Sequence, residues 1–302
     1  MFITVHEVGP RDGLQNEAAA VPTSDKVAFV DRLSGAGLSA IEVSAFVRPD
    51  RIPQLADAED VFARITRRAG TRYAALVPNM NGLTRARAAG VQDVAIFAAA
   101  SETFGRRNIN QSIDESLVAY ADVVAEARHQ GCRVRGYLST AFGCPFEGDV
   151  PVARVVGLTK RLFEMGVDEV AISDTIGVAH PGQVAAMLTT LVGEFTAKPL
   201  ALHFHDTRGT ALANVLRALD FGITTFDSSA GGLGGCPYAP GATGNLATED
   251  LLYMLHGLGL DTGVDLAQVV SASRAIEPII GHALPSRYVQ ATARTVPGGS
   301  RA

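Results

Sequence analysis

The sequence is short of cysteine, of long apolar runs and of positive charge, and each shortage removes a class of function. Only three cysteines occur in 302 residues, Cys132, Cys144 and Cys236, an odd number with no metal-type spacing. A disulfide framework is not expected, and a reducing, cytoplasmic setting fits better. No apolar stretch approaches the roughly 20 residues of a membrane-spanning helix, so no membrane association is expected. The net charge of −5 gives no electrostatic pull towards nucleic acid or an anionic membrane. The opening segment "MFITVHEV" reads as a strand; it has neither the basic and apolar regions of a secretory signal nor the Arg/Ser-rich character of a transit segment. With 47% hydrophobic and 19% charged residues, the composition is that of a globular protein with a large core.

What the sequence does contain is a repeated phrase: a helical pattern, a glycine, a short link and a β-branched run. It recurs as "LSGAGLSAIEVSAF", "RAAGVQDVAIFAAA", "RHQGCRVRGYLST", "FEMGVDEVAISDT" and "LDFGITTFDSS". The glycine suits the left-handed position just past a helix, and the nearly all-apolar run suits a parallel strand covered on both faces. Eight strands are predicted, near 3–8, 40–46, 72–77, 93–100, 133–140, 169–175, 200–206 and 224–230. Helices are predicted near 24–36, 57–67, 81–89, 112–130, 152–165, 181–196, 209–221 and 245–258. Alternating strands and helices make βαβ units, and eight of them make a (β/α)8 (TIM) barrel in a single domain, with an open doubly wound sheet as the lesser alternative. The barrel is expected over about 3–260; one more helix near 265–282 and a fraying tail, "TVPGGSRA", complete the chain.

A barrel of this kind carries its chemistry at the C-terminal ends of the strands. Strand 1 ends in "EVGPRDGLQNE", which leaves Arg11 and Asp12 at the mouth, although Asp-Gly is also ordinary turn chemistry. Strand 7 ends in "LALHFHDT", where His203 and His205, two residues apart, point to the same side while Leu202 and Phe204 point to the covering helices. Two imidazoles and the Asp12 carboxylate form a mixed set of donors for a divalent cation; such a set suits Mg²⁺ or Mn²⁺, and Zn²⁺ and Fe²⁺ also accept it. Asn245, after strand 8, is by position more a helix N-cap than a fourth ligand. Glu42, Arg135 and Asp174 are charges inside apolar strands, so each must be paired or face a polar site. Arg11 with Glu42 or with Asp174 are the natural pairs, and His6 and Glu7 fit the same polar layer without assigned chemistry. The segment "AGGLGGCPYAPGATGN" after strand 8 is glycine-rich enough to close as a lid and would carry Cys236 to the mouth. Cys132 and Cys144 read as structural, although Cys144 also lies in a mouth loop.

At these residues the chain resembles the 3-hydroxy-3-methylglutaryl-CoA lyase family of metal-dependent TIM-barrel carbon–carbon lyases. "EVGPRDGLQNE", "HFHDTRGTALAN" and "SSAGGLGGCPYAPGATGNLATEDL" carry the resemblance, which runs from residue 3 to about residue 265. It implies Asp12, His203, His205 and Asn245 as ligands of Mg²⁺ or Mn²⁺, against the cap reading of Asn245. It implies Cys236 as the catalytic cysteine, Arg11 as a substrate-binding arginine, and Glu42 and Asp174 as supporting acidic groups. Arg135 is a further expected substrate contact, and His203 or Asp12 the expected first base. The implied substrate is an acyl-CoA, cleaved by a retro-Claisen route to acetyl-CoA and a 3-keto acid, and the implied assembly is a homodimer. Ala45, Arg48, Arg208 and Thr210 depart from the family pattern, which points to a shifted acyl preference, such as a longer-branched 3-hydroxyglutaryl-CoA. A Claisen-condensing synthase of the same superfamily is the alternative.

Overall fold

A computed structural model describes residues 1–235 and 244–293. Eight strands run β1 Thr4–Glu7, β2 Ala40–Ala45, β3 Arg72–Leu76, β4 Asp93–Ala99, β5 Arg133–Ser139, β6 Glu169–Asp174, β7 Leu200–Phe204 and β8 Thr225–Ser228. All neighbours pair in parallel, in sequence order, and β8 closes on β1. The helices are α1 Thr23–Gly35, α2 Ala58–Arg64, α3 Met80–Ala88, α4 Glu102–Ile109, α5 Ile113–His129, α6 Val152–Met165, α7 Pro181–Phe195, α8 Ala211–Leu219, α9 Thr248–Gly257, α10 Leu266–Ile280 and α11 Arg287–Ala293. The fold is thus the expected (β/α)8 barrel, with α10 packed on α1 and α11 on α9. Among the described residues no helix is long and apolar enough to cross a membrane.

The glycines of the repeated phrase do what the pattern requires. Gly37, Gly90, Gly131, Gly166 and Gly222 have φ of 94°, 77°, 75°, 102° and 76°, a region closed to most side chains, and each turns the chain from a helix towards the next strand. Outward strand residues such as Ile41, Val134, Ile172, Leu202 and Phe204 are buried beneath the helices in one continuous core. The inward positions differ from those of an ordinary barrel, where bulky branched side chains fill the bore. Here Ala95, Ala171 and Ala201 with Tyr137 form a small separate cluster. The space left by the alanines takes charged groups: Glu42, Arg135, Glu169 and Asp227 are all buried.

Two elements were not expected. α4 sits where no helix was predicted: Ser101 caps it by accepting from Phe104 N–H (3.1 Å), while Gly105 inside it weakens the helical signal. α11 begins where the Asp250 carboxylate of α9 accepts from Ser286 Oγ and from the N–H of Arg287 and Tyr288, a cap supplied from 36–38 residues away. The expected extent of α2, 57–67, shrinks because Ile65 is already extended. The tail "TVPGGSRA" lies outside the described residues.

Candidate metal centre

The turn after β1 is one turn of π-helix, Gly9–Gly13, in which the Val8 carbonyl accepts from the N–H of Arg11, Asp12 and Gly13 (3.2, 2.7 and 3.1 Å). Such turns are rare and frequent at functional sites. This one sets Arg11 and Asp12 side by side at the mouth. Arg11 Nε donates to Glu42 Oε2 at 2.7 Å and Nη1 to Asp12 Oδ1 at 2.9 Å, while the guanidinium lies 5.6 Å from the centre of the Tyr137 ring. Burial opposes the charge of Arg11, but the Glu42 and Asp12 carboxylates outweigh it and hold the guanidinium firmly protonated.

Asp12 meets His203 and His205 here. One ligand atom from each lies within 4.8 Å of the others. The two rings come from the same side of β7 and its end, with centroids 5.2 Å apart, as their spacing predicts. Burial alone would raise the Asp12 pKa, yet Arg11, the two histidines and an Asn245 hydrogen bond together hold it below the usual range, so it is a carboxylate. Burial and the neighbouring His203 push His205 down to about 3, so its imidazole is neutral and keeps a lone pair. Asn245 is not the helix cap: α9 starts at Thr248, after Ala247. Its Nδ2 donates to Asp12 Oδ2 (2.8 Å) and to the Leu233 carbonyl (3.0 Å), and its buried Oδ1 has no partner among the described residues. A carboxylate, two imidazoles and an orphaned amide oxygen fit a divalent cation by both chemistry and spacing.

Three expectations change. Asp174 does not pair with Arg11; its carboxylate accepts from the N–H of Val178 and Ala179 (2.9 Å each), and burial raises it to about 6. It shapes the loop after β6, and its backbone carbonyl accepts from His205 N–H. Arg135 is not a group at the mouth. It is 3% exposed in the bore, with Nη2 donating to Asp227 Oδ1 at 2.6 Å and Nε 3.0 Å from Glu169 Oε1, a close ion pair not aligned as a hydrogen bond. Glu7 lies outside the bore layer and accepts from the N–H of Gly9 and Ala230 and from Thr248 Oγ1. Two residues of the site went unnoticed in the sequence, Tyr137 beside Arg11 and Asp227 beside His203. The rule that singled out Glu42, a charge inside an apolar strand, applies equally to Asp227.

Cys236 lies outside the described residues. The ends of its loop are well held. Gly231 N–H donates to both Glu249 oxygens (3.1 and 3.0 Å), Asn16 Nδ2 to the Gly235 carbonyl (3.3 Å), and a Cβ on Gly244 would lie 2.8 Å from Gly235 N. Gly234, with φ 101°, packs so closely that a Cβ would run into the Asn245 amide. Both loop ends therefore meet beside Asp12 and Asn245. Cys144 is buried with Sγ 2.9 Å from Ser101 Oγ, and Cys132 is buried with its thiol pushed up by desolvation, both structural as expected. Arg48 is exposed and paired with Asp50, and Arg208 donates to the carbonyls of Ile176 and Gly177 (3.0 and 2.9 Å), holding the loop after β6.

A parallel eight-stranded barrel with a carboxylate, two imidazoles and a buried arginine at its C-terminal mouth is a (β/α)8 protein whose mouth offers a candidate site for a divalent metal. Within that class, the chain belongs to the HMGL-like family, whose model matches residues 3–276. It is 52% identical over 288 residues to the hydroxymethylglutaryl-CoA lyase of Bacillus subtilis, covering 95% of this chain and 96% of that one. It is 49% identical to the cytoplasmic 3-hydroxy-3-methylglutaryl-CoA lyase of Rattus norvegicus, covering 96% and 85%. A solved lyase from Acinetobacter baumannii, in complex with coenzyme A and 3-methylmalate, superimposes with a TM-score of 0.94 at 37% identity, covering 99% and 98%.

Proposed function

We propose that this chain is a cytoplasmic carbon–carbon lyase that splits 3-hydroxy-3-methylglutaryl-CoA into acetyl-CoA and acetoacetate with Mg²⁺ or Mn²⁺ as cofactor. The observation that carries the reading is the convergence of Asp12, His203 and His205 within 4.8 Å, with Arg11 bonded to Asp12. The near full-length similarity to lyases of that name supports the substrate. The divalent ion, held by Asp12, His203, His205 and Asn245, would acidify and orient the substrate's tertiary hydroxyl.

The rest falls to the chain's own groups. The hydroxyl loses its proton, the bond between C2 and C3 breaks, C3 becomes the ketone of acetoacetate, and C2 leaves as the enolate of acetyl-CoA, which takes up one proton. Asp12 is the base for the first proton; His203, which faces the ion through one ring nitrogen and Asp227 through the other, keeps no lone pair for that step. Arg11, permanently charged and fixed by Glu42, stabilises the negative charge that develops on the thioester oxygen. Cys236 supplies the proton to C2; a thiol with a pKa near ~8.5 is mostly protonated at neutral pH. Neither Arg48, paired in solvent, nor Arg208, committed to backbone carbonyls, supports a shifted acyl preference. The test is a comparison of kcat/KM for 3-hydroxy-3-methylglutaryl-CoA and longer-branched analogues, with both products quantified. Equimolar acetyl-CoA and acetoacetate and a preference for the short substrate are expected; a longer analogue turned over faster would overturn the substrate assignment.

A further inference from the structure

The charged bore of the barrel is arranged as a chain of alternating sign that ends on a metal ligand. Arg133, partly exposed at the N-terminal face, donates to Glu169 Oε2 at 3.0 Å. Glu169 Oε1 faces Arg135 Nε at 3.0 Å, and Arg135 Nη2 donates to Asp227 Oδ1 at 2.6 Å. Asp227 Oδ2 lies 3.2 Å from His203 Nδ1, across neighbouring positions of β7 and β8. Two guanidiniums and two carboxylates alternate, and the charge of Asp227 is met by Arg135 on the side away from His203. A His203 that offers its Nε2 lone pair to a cation carries its proton on Nδ1, where Asp227 Oδ2 is placed to accept it. His205 is held differently: its buried Nδ1 has no partner among the described residues.

We propose that Asp227 is a positioning residue of the metal centre, fixing the tautomer and ring orientation of His203 so that Nε2 faces the cation, and that Arg135 and Glu169 hold Asp227 in place. The inference rests on the metal reading of Asp12, His203 and His205. Its physical basis is general: a ligand histidine that donates its other N–H to a carboxylate is oriented and made more basic, and loss of such a partner costs about 10–100-fold in metal affinity or activity. A buried carboxylate is costly unless paired, and the Arg135 guanidinium is what lets Asp227 stay ionised at the base of the site.

The test uses the full chain, stripped of metal and titrated with Mn²⁺, with free ion read by electron paramagnetic resonance. Asp227→Asn should weaken Mn²⁺ binding about 10–100-fold, with a lower melting temperature as well because Arg135 loses its buried partner, and Asp227→Glu should recover part of the affinity. Side-chain ¹⁵N spectra, assigned by comparison with His203→Gln, should show His203 protonated on Nδ1 in the metal-free wild type and a mixture of tautomers in Asp227→Asn. Arg135→Lys should weaken Mn²⁺ binding without raising KM measured at saturating Mn²⁺. Wild-type-like Mn²⁺ affinity in a folded Asp227→Asn protein overturns the inference, as does a wild-type His203 protonated on Nε2. Should Asp227→Asn not fold, the wild-type tautomer decides alone. A wild type that binds no Mn²⁺ at all removes the metal reading instead, and the tautomer still decides whether Asp227 orients His203.

Discussion

Single residues divide sharply into those whose type announces their role and those whose role needs a partner. His203 and His205 were legible because a spacing of two on a strand puts two side chains on one face. Arg11 and Asp12 were legible as mouth residues because they follow strand 1 directly. Arg135 was legible as a charge that needs company but not as a charge already satisfied, because its partner Asp227 lies 92 positions away and only barrel closure brings them together. Two outcomes follow at this scale. Arg11→Lys keeps the charge but loses the planar fork that spans Glu42 and Asp12, so kcat should fall by about 10²–10³-fold, the scale of a lost oxyanion donor. A variant within a few-fold of wild type in steady-state assays would remove Arg11 from the reaction. Cys236→Ala should lower kcat by about 10²–10⁴-fold, the usual worth of a positioned acid, with Mn²⁺ affinity unchanged. Near wild-type turnover would instead move the final proton to another donor.

Among the elements, the strands fell within two residues of their predicted positions, because six of the eight apolar runs follow a glycine within a few residues; β1 and β7 do not. α4 and α11 escaped because their starts depend on side-chain caps and, for α11, on a carboxylate from another helix. The root of the Cys236 loop is fixed in the same distant manner. Glu249 accepts from Gly231 N–H and from Ser273 Oγ, and burial raises its pKa to about 7 from an ordinary value of 4.5. The sign follows from linkage. The folded state holds this proton more tightly than the unfolded chain, so the penalty for ionising Glu249 is absent below about pH 4.5 and complete above about pH 7. Glu249→Gln removes that penalty while keeping a carbonyl oxygen for Gly231. Its melting temperature relative to wild type should therefore rise between pH 5 and pH 7.5 by about 2 °C or more, the shift that ~1 kcal/mol gives in a domain of this size. Parallel melting curves across that range would show that Glu249 does not titrate there.

At the scale of the whole molecule, the barrel holds apart two kinds of interior, an apolar layer between strands and helices and a charged bore that alanines make roomy enough to exist. The periodicity of the sequence identified the first; the second is a property of closure. The bore ends beneath Asp12, His203 and His205, and the central claim is that a divalent metal held there drives cleavage of 3-hydroxy-3-methylglutaryl-CoA. The most direct test measures acetyl-CoA released from that substrate by one preparation in three states: as purified, after exhaustive chelation with residual metal quantified, and after addition of Mg²⁺ or Mn²⁺. The account predicts that release is abolished by chelation and restored by either ion, and that His205→Ala fails to recover. Undiminished release from protein shown to be free of metal would contradict it.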